Sequence, residues 1–354
     1  MRQVGDDTDT AARDPFEAEM RRQVTTPPAL GDAAAALGDL YGMLRYHLGW
    51  ADEAFAPADA YAGKRLRPLL VLRCAEALGG GADLAAPAAA AVELLHNFTL
   101  VHDDVQDESS HRRHRETVWH RWGTAQAINV GDALYAVAHA ALYRLAEPPR
   151  GVPADRVLAI ARGFDEVALH IVEGQFLDLA HEGQWGGGAA RYFATIRGKT
   201  AAIIDFAARA GAILAGADDA TVALFGRYGQ ALGLAFQIRD DILGIWGAPS
   251  VTGKPAADDI RRKKQSLPIV LLDTAADPAT RAELRALYAV PALDEARVAR
   301  VLALLDAADI ARRCQGYVAR YHEEARAALD ALAPRLARAD ALYDFLDRLE
   351  ERAG

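Results

Sequence analysis

Apolar residues crowd four stretches of this chain, 85–105, 125–145, 157–180 and 220–245. Each is longer than an ordinary globular helix and apolar on most of its sides. Helices of that kind sit in the middle of a bundle, where every face meets another helix. Short breaks rich in Gly and Pro separate the helical lengths: Gly79-Gly80-Gly81, Pro148-Pro149 with Pro153, Gly186-Gly187-Gly188, Gly216, the span from Gly247 to Pro255, and Pro278. None is as long as an interdomain linker, alternating β-branched runs are almost missing, and no segment repeats at a fixed period. The pattern predicts a single all-α domain over residues 31–354 with a buried helical centre. Residues 1–30 are polar, carry Asp6, Asp7 and Asp9, and close on Pro27-Pro28. They are expected to form a flexible tail, and their D-D-x-D resembles a metal site only superficially, because no apolar helix precedes it to hold the carboxylates.

Composition narrows the function. Apolar residues make up 51% of the 354, and Ala and Leu outweigh Val, Ile and Thr, which favours helix. A formal charge of −9 leaves no domain-wide basic face and argues against a nucleic-acid partner. Cys74 and Cys314 are too few for a disulfide framework, so a cytoplasmic location is expected, with Cys74 in the core. The first residues lack the apolar centre of a signal peptide. No run of about 18 apolar residues is free of charge, so no membrane span is expected.

Against this apolar background two acidic clusters stand out. D-D-V-Q-D places Asp103, Asp104 and Asp107 at the end of one long apolar run; F-Q-I-R-D-D, from Phe236 to Asp241, lies within another. On a helix Asp103 and Asp107 are one turn apart on one face. Like charges that close need a cation between them, and a hard divalent ion such as Mg²⁺ takes carboxylates together with substrate phosphates. Basic groups alternate with these clusters. G-K-R-L-R-P supplies Lys64, Arg65 and Arg67, with Pro68 opening a helix whose N-terminus suits an anion. H-R-R-H-R supplies Arg112, Arg113 and Arg115, and Lys254, Arg261, Arg262, Lys263 and Lys264 follow the second cluster. Acid, base, acid, base in succession suits a pocket gripping two diphosphates with metal between, and the apolar helices would line a cavity for a hydrocarbon. The chemistry implied is ionisation of an allylic diphosphate in a pocket that excludes water from the carbocation.

These motifs, in this order from about Gly63 to Pro268, resemble the polyprenyl synthetase family of all-α isoprenoid diphosphate synthases. The resemblance implies an isoprenoid-synthase-type helical bundle around a central apolar cavity. It implies a Mg²⁺-dependent prenyltransferase that joins isopentenyl diphosphate head to tail onto an allylic diphosphate, with about three Mg²⁺ ions or Mn²⁺ in their place. By resemblance Lys64, Arg67, His96 and Arg113 bind isopentenyl diphosphate, while Arg112, Lys199, Thr200, Gln237, Lys254 and Lys264 bind the allylic diphosphate. Asp103, Asp104, Asp107, Asp240 and Asp241 are expected as metal ligands. Asp103, Asp107, Lys199, Thr200, Gln237 and Asp241 are expected as the catalytic set. A homodimer is expected as well.

The chain departs from the family pattern in places. Gly244 replaces the usual third aspartate of the second motif, where Asp258-Asp259 could partly compensate, although a solvated loop is the plainer expectation for that pair. His114 stands where a Gly often follows the arginine pair, and Glu116 replaces a Pro. His102, His111, His114 and His120 lie close in sequence, but oxygen-rich sites suit Mg²⁺ better than Zn²⁺. Trp119, Trp122 and Trp246 are expected to pack. A terpene cyclase of the same fold is disfavoured because N-D-x-x-S-x-x-x-E is missing. A non-catalytic subunit of a heteromeric synthase is disfavoured because both acidic motifs largely survive. An aromatic residue five positions before D-D-x-x-D, here Phe98 followed by the smaller Thr99, resembles the pattern for C20 geranylgeranyl diphosphate. Farnesyl and C25 geranylfarnesyl diphosphate are the alternatives.

Overall fold

A computed structural model describes residues 15–25, 34–60, 63, 65–248 and 255–351, and most of them are helical. In chain order the helices are α1 (15–23), α2 (Ala34–His47), α3 (Leu66–Ala77), α4 (Ala82–Gln106), α5 (Val118–Trp122), α6 (Thr124–Tyr143), α7 (Ala154–Ala180) and α8 (Gly188–Ile196). A π-helical segment, Arg197–Ala201, leads into α9 (Ala202–Leu214). There follow α10 (Asp219–Trp246), α11 (Asp258–Arg261), α12 (Leu267–Ala275), α13 (Pro278–Tyr288), α14 (Glu295–Ala307), α15 (Ile310–Leu332) and α16 (Asp340–Glu351). Two short strands, β1 (His111–Arg112) and β2 (Arg115–Glu116), pair antiparallel between α4 and α5.

The chain divides into two compact units, where the lack of linkers predicts one domain. One comprises residues 1–165, 206–223 and 335–341; the other comprises 166–205, 224–334 and 342–354. Several boundaries fall inside α7, α9 and α10, so no Gly/Pro break marks them.

In the first unit α4 packs along α6 and α3. Residues 85–92 of α4 are fully buried, and most of that stretch is Ala, whose small side chains let neighbouring helices approach. Gly211 brings α9 against α3, since a Cβ there would strike the Val71 carbonyl and the buried Cys74. By composition α4 could cross a membrane, but most of it is buried within the fold. The expected tail does not extend over residues 15–25: Phe16, Met20 and Val24, spaced one turn apart, are buried. The core of the second unit gathers Tyr192, Ile196, Leu234, Ile238, Ile260, Leu272 and Leu305 from α8, α10, α11, α12 and α14.

Candidate active site

Expected site residues of the first unit collect around the start of α3 and the end of α4. Arg67, in the first turn of α3, donates from Nη1 to Nε2 of His96 on α4 at 3.2 Å. That direction makes His96 neutral with its proton on Nδ1. Burial, then the charges of Arg67, Arg113 and Arg112, hold the His96 pKa well below the ordinary imidazole value. His47 on α2 is pushed down to about 3 by burial, then by Arg113 and Arg112. Three guanidiniums around two neutral rings form a corner rich in donors, the electrostatics of a polyanion site. Lys64 lies outside the described residues.

The arginine pair sits on a hairpin. Arg113 and His114 have φ of 52° and 64°, so both central turn residues are left-handed, as a type I′ turn requires. This is why Gly suits position 114, and His is among the residues that enter that region more readily than most. Arg115, by contrast, serves the fold: its guanidinium donates to the carbonyls of Tyr46 at 3.0 Å and Ala51 at 2.7 Å.

The three aspartates of the first cluster differ. Asp103 is half-buried and Asp107 exposed, at the C-terminal end of α4 where the helix dipole itself favours a cation. Asp104 is only 2% exposed, and its Oδ1 accepts from Nε and Nη2 of Arg112, each at 2.8 Å. Burial raises its pKa against the pull of Arg112. Asp104, expected as a metal ligand, anchors Arg112 through this pair. Deeper on α4, Thr99 donates to the His96 carbonyl at 2.8 Å, and the Phe98 ring meets His102 and Tyr135 at 4.8 and 5.3 Å between centroids.

The second unit assembles the other expected residues around the π-helical R-G-K-T-A. Widened turns of this kind recur at functional sites. Gly174 and Gly198 make room for it: a Cβ on Gly174 would strike the Lys199 backbone, and one on Gly198 the His170 carbonyl. Lys199 Nζ donates to Asp178 on α7 at 2.7 Å. Thr200 donates to Oε1 of Gln237 at 2.8 Å, and the Gln237 amide donates to Asp241 Oδ1 at 3.0 Å. Asp241 is fully buried. Its Oδ1 also accepts from Lys264 at 3.1 Å, and its Oδ2 accepts from Tyr192 at 2.7 Å and the Leu267 amide at 2.9 Å. These four donors make Asp241, expected as a metal ligand, the shared acceptor of a buried network. Its neighbour Asp240 is exposed. Burial opposes the Lys264 charge, but Asp241 and Asp259 outweigh it and hold the ammonium pKa above the usual lysine value. Burial, then Asp241, drives the Tyr192 pKa far above the usual phenol, so it acts as a hydroxyl donor. Lys254 lies outside the described residues.

Sequence reasoning passed over Asp178 and Tyr192. Asp178 is one of several carboxylates along α7, with Asp165, Glu166 and Glu173, and nothing in the sequence set it or Tyr192 apart. Asp259, expected in a solvated loop, is buried beside Gly244, 3.6 Å from Lys264. A Cβ at 244 would collide with its carboxylate, so Asp259 fills the space that a third aspartate would need. Gly244→Asp is therefore expected to destabilise by about 1–3 kcal/mol through overpacking and like-charge contact, read as a fall in melting temperature.

Among the described residues no three His, Cys, Asp or Glu side chains are already gathered as a metal cluster. The half-buried Asp103 and the exposed Asp107 and Asp240 are nonetheless the hard oxygen donors that fit Mg²⁺, which usually completes its shell with water and substrate phosphates.

Over residues 50–305 the chain matches the polyprenyl synthetase family. It is 42% identical over 300 residues to a geranylgeranyl diphosphate synthase of Mycobacterium tuberculosis, covering 83% of each chain. A (2E,6E)-farnesyl diphosphate synthase of that organism is 43% identical over 227 residues, 64% of this chain and 61% of that relative. The crystal structure of a polyprenyl synthetase from Streptomyces coelicolor A3(2) superposes with a TM-score of 0.83 at 34% identity, covering 95% of this chain and 98% of that one.

Proposed function

Because this chain belongs to the polyprenyl synthetase family and is a prenyltransferase making prenyl diphosphates, we propose that it condenses isopentenyl diphosphate with allylic diphosphates in a Mg²⁺-dependent reaction whose main product is geranylgeranyl diphosphate. The observation that carries the reading is the donor-rich corner of Arg67, Arg112 and Arg113 around a neutral His96. Such a corner accepts a diphosphate without competing for its proton. Arg67, Arg113 and His96, with Lys64, bind isopentenyl diphosphate. Arg112, Lys199, Lys254 and Lys264 bind the allylic diphosphate. Thr200 and Gln237, locked to each other, present oxygen dipoles to the cation that forms as diphosphate leaves.

Mg²⁺, for which Asp103, Asp107 and Asp240 are the fitting ligands, would supply charge neutralisation to the departing diphosphate. The chain's own residues keep water from the cation and fix the alkene. No side-chain base stands out, so the released diphosphate takes the proton.

Product length follows from Phe98. Its ring, in contact with His102 and Tyr135, is the proposed floor of the cavity below Asp103; five residues of helix span about 7.5 Å. A homodimer and a cytoplasmic location belong to the same reading. The exposed apolar residues Leu169, Val172 and Phe176, on one face of α7, supply a surface for a second copy.

The test is incubation with Mg²⁺, labelled isopentenyl diphosphate and each allylic primer in turn, followed by chromatography. Geranylgeranyl diphosphate is expected. A cyclic hydrocarbon would point to a cyclase, and silence without a partner protein would point to a non-catalytic subunit. Phe98→Ala should lengthen the products by one or more isoprene units; an unchanged distribution would place the floor elsewhere.

A further inference from the structure

Arg65, two residues before Arg67, faces two carboxylates instead of His96. It caps α3 in the left-handed region, with φ of 53°, and is 5% exposed. A side chain there is strained unless its surroundings hold it. Two carboxylates do so. Nη1 meets Oε1 of Glu93 on α4 at 2.5 Å, and Nε meets Oε1 of Glu17 on α1 at 3.1 Å. Glu93 is in turn fixed by Asn97, whose amide donates to its side chain at 3.1 Å and to its carbonyl at 2.8 Å.

The helix that brings Glu17 is itself anchored. Phe16 and Met20 are fully buried, and the buried Glu19 pairs with Arg144 and, at 3.5 Å, with Arg150. At the other end of the loop Gly63, with φ of 95°, lies under the Arg113 guanidinium, so close that a Cβ would sit 2.9 Å from Nη2. Arg65 is thus held by α1 and α4, Gly63 lies against Arg113, and Arg67 meets His96.

We propose that α1 is a positioning element for the isopentenyl diphosphate site: Glu17, acting with Glu93 through Arg65, sets the start of α3, which carries Arg67. The proposal rests on the assignment of Lys64 and Arg67 to isopentenyl diphosphate. The Glu17 side chain is 26% exposed, and Arg65 keeps Glu93 when Glu17 is neutralised, so the fold survives the change.

The experiment uses the full chain, comparing wild type with Glu17→Gln and Glu17→Ala. Calorimetric binding of isopentenyl diphosphate without primer is measured alongside steady-state kinetics in both substrates, with a melting curve for each variant. The expected result is affinity for isopentenyl diphosphate weakened about fivefold, matched by its KM, with kcat and the KM for the allylic primer unchanged. The smaller shift belongs to Glu17→Gln, which keeps an acceptor oxygen. Unchanged affinity in a folded Glu17→Ala variant, or equal losses for both substrates, would overturn the proposal. A wild-type chain that takes up no isopentenyl diphosphate would overturn the functional reading instead, and this one with it.

Discussion

Asp103→Ala and Asp107→Ala should each lower turnover by about a thousandfold or more while leaving the melting temperature where it is. Both effects follow from position. The two carboxylates occupy the last turn of α4, half-buried and exposed, so neither supports the core. They lie one turn apart at the negative end of the helix dipole, and a divalent cation there meets two charges and the dipole at once. Its benefit falls on the leaving diphosphate, where charge develops as the allylic bond breaks, so the loss appears in kcat more than in primer binding. The check is a kcat and KM measurement across a Mg²⁺ titration, beside thermal melting. A folded Asp103→Ala variant with a near-normal rate at the wild-type Mg²⁺ requirement would remove the metal assignment.

How far the sequence could be read depended on whether a property belongs to one helix or to two elements meeting. The long apolar runs gave α4, α6, α7 and α10; burial on most sides accounts for the runs of α4 and α10, whereas α6 and α7, expected at the buried centre, leave Ile128, Leu169, Val172 and Phe176 exposed. The acidic motifs were legible for the same reason, as charges where none should be. What the sequence did not disclose is which aspartate of each pair turns inward. Asp104 meets Arg112 across a hairpin turn that needs two left-handed residues, and Asp241 meets Tyr192 from 49 positions earlier. Gly244 could be seen as a departure, but its cause, the Asp259 carboxylate in the same space, lies on another helix. The helix α1 was missed within a polar stretch although its signal was present: Phe16, Met20 and Val24 recur every four residues.

Asp241 and Asp240 should respond to substitution in opposite ways. Asp241→Ala removes the shared acceptor of Tyr192, Gln237, Lys264 and the Leu267 amide, four donors gathered on one fully buried carboxylate. Breaking a buried charge pair from one side costs about 3–5 kcal/mol. Here the lower end applies, because the Lys264 side chain is 44% exposed and water can take over part of its solvation. Activity falls with stability, since Gln237 then loses the contact that orients its amide and, through it, the Thr200 hydroxyl. Tyr192→Phe deletes one of the four donors and should cost about 1 kcal/mol with a partial loss of rate, a graded version of the same defect. Asp240→Ala acts on an exposed carboxylate: the melting temperature stays, the rate drops, and the Mg²⁺ concentration for half-maximal rate rises. Melting curves and Mg²⁺ titrations of the three variants separate the roles. If Asp241→Ala melts like wild type and shifts only the Mg²⁺ requirement, Asp241 is the ligand and the anchor is misassigned.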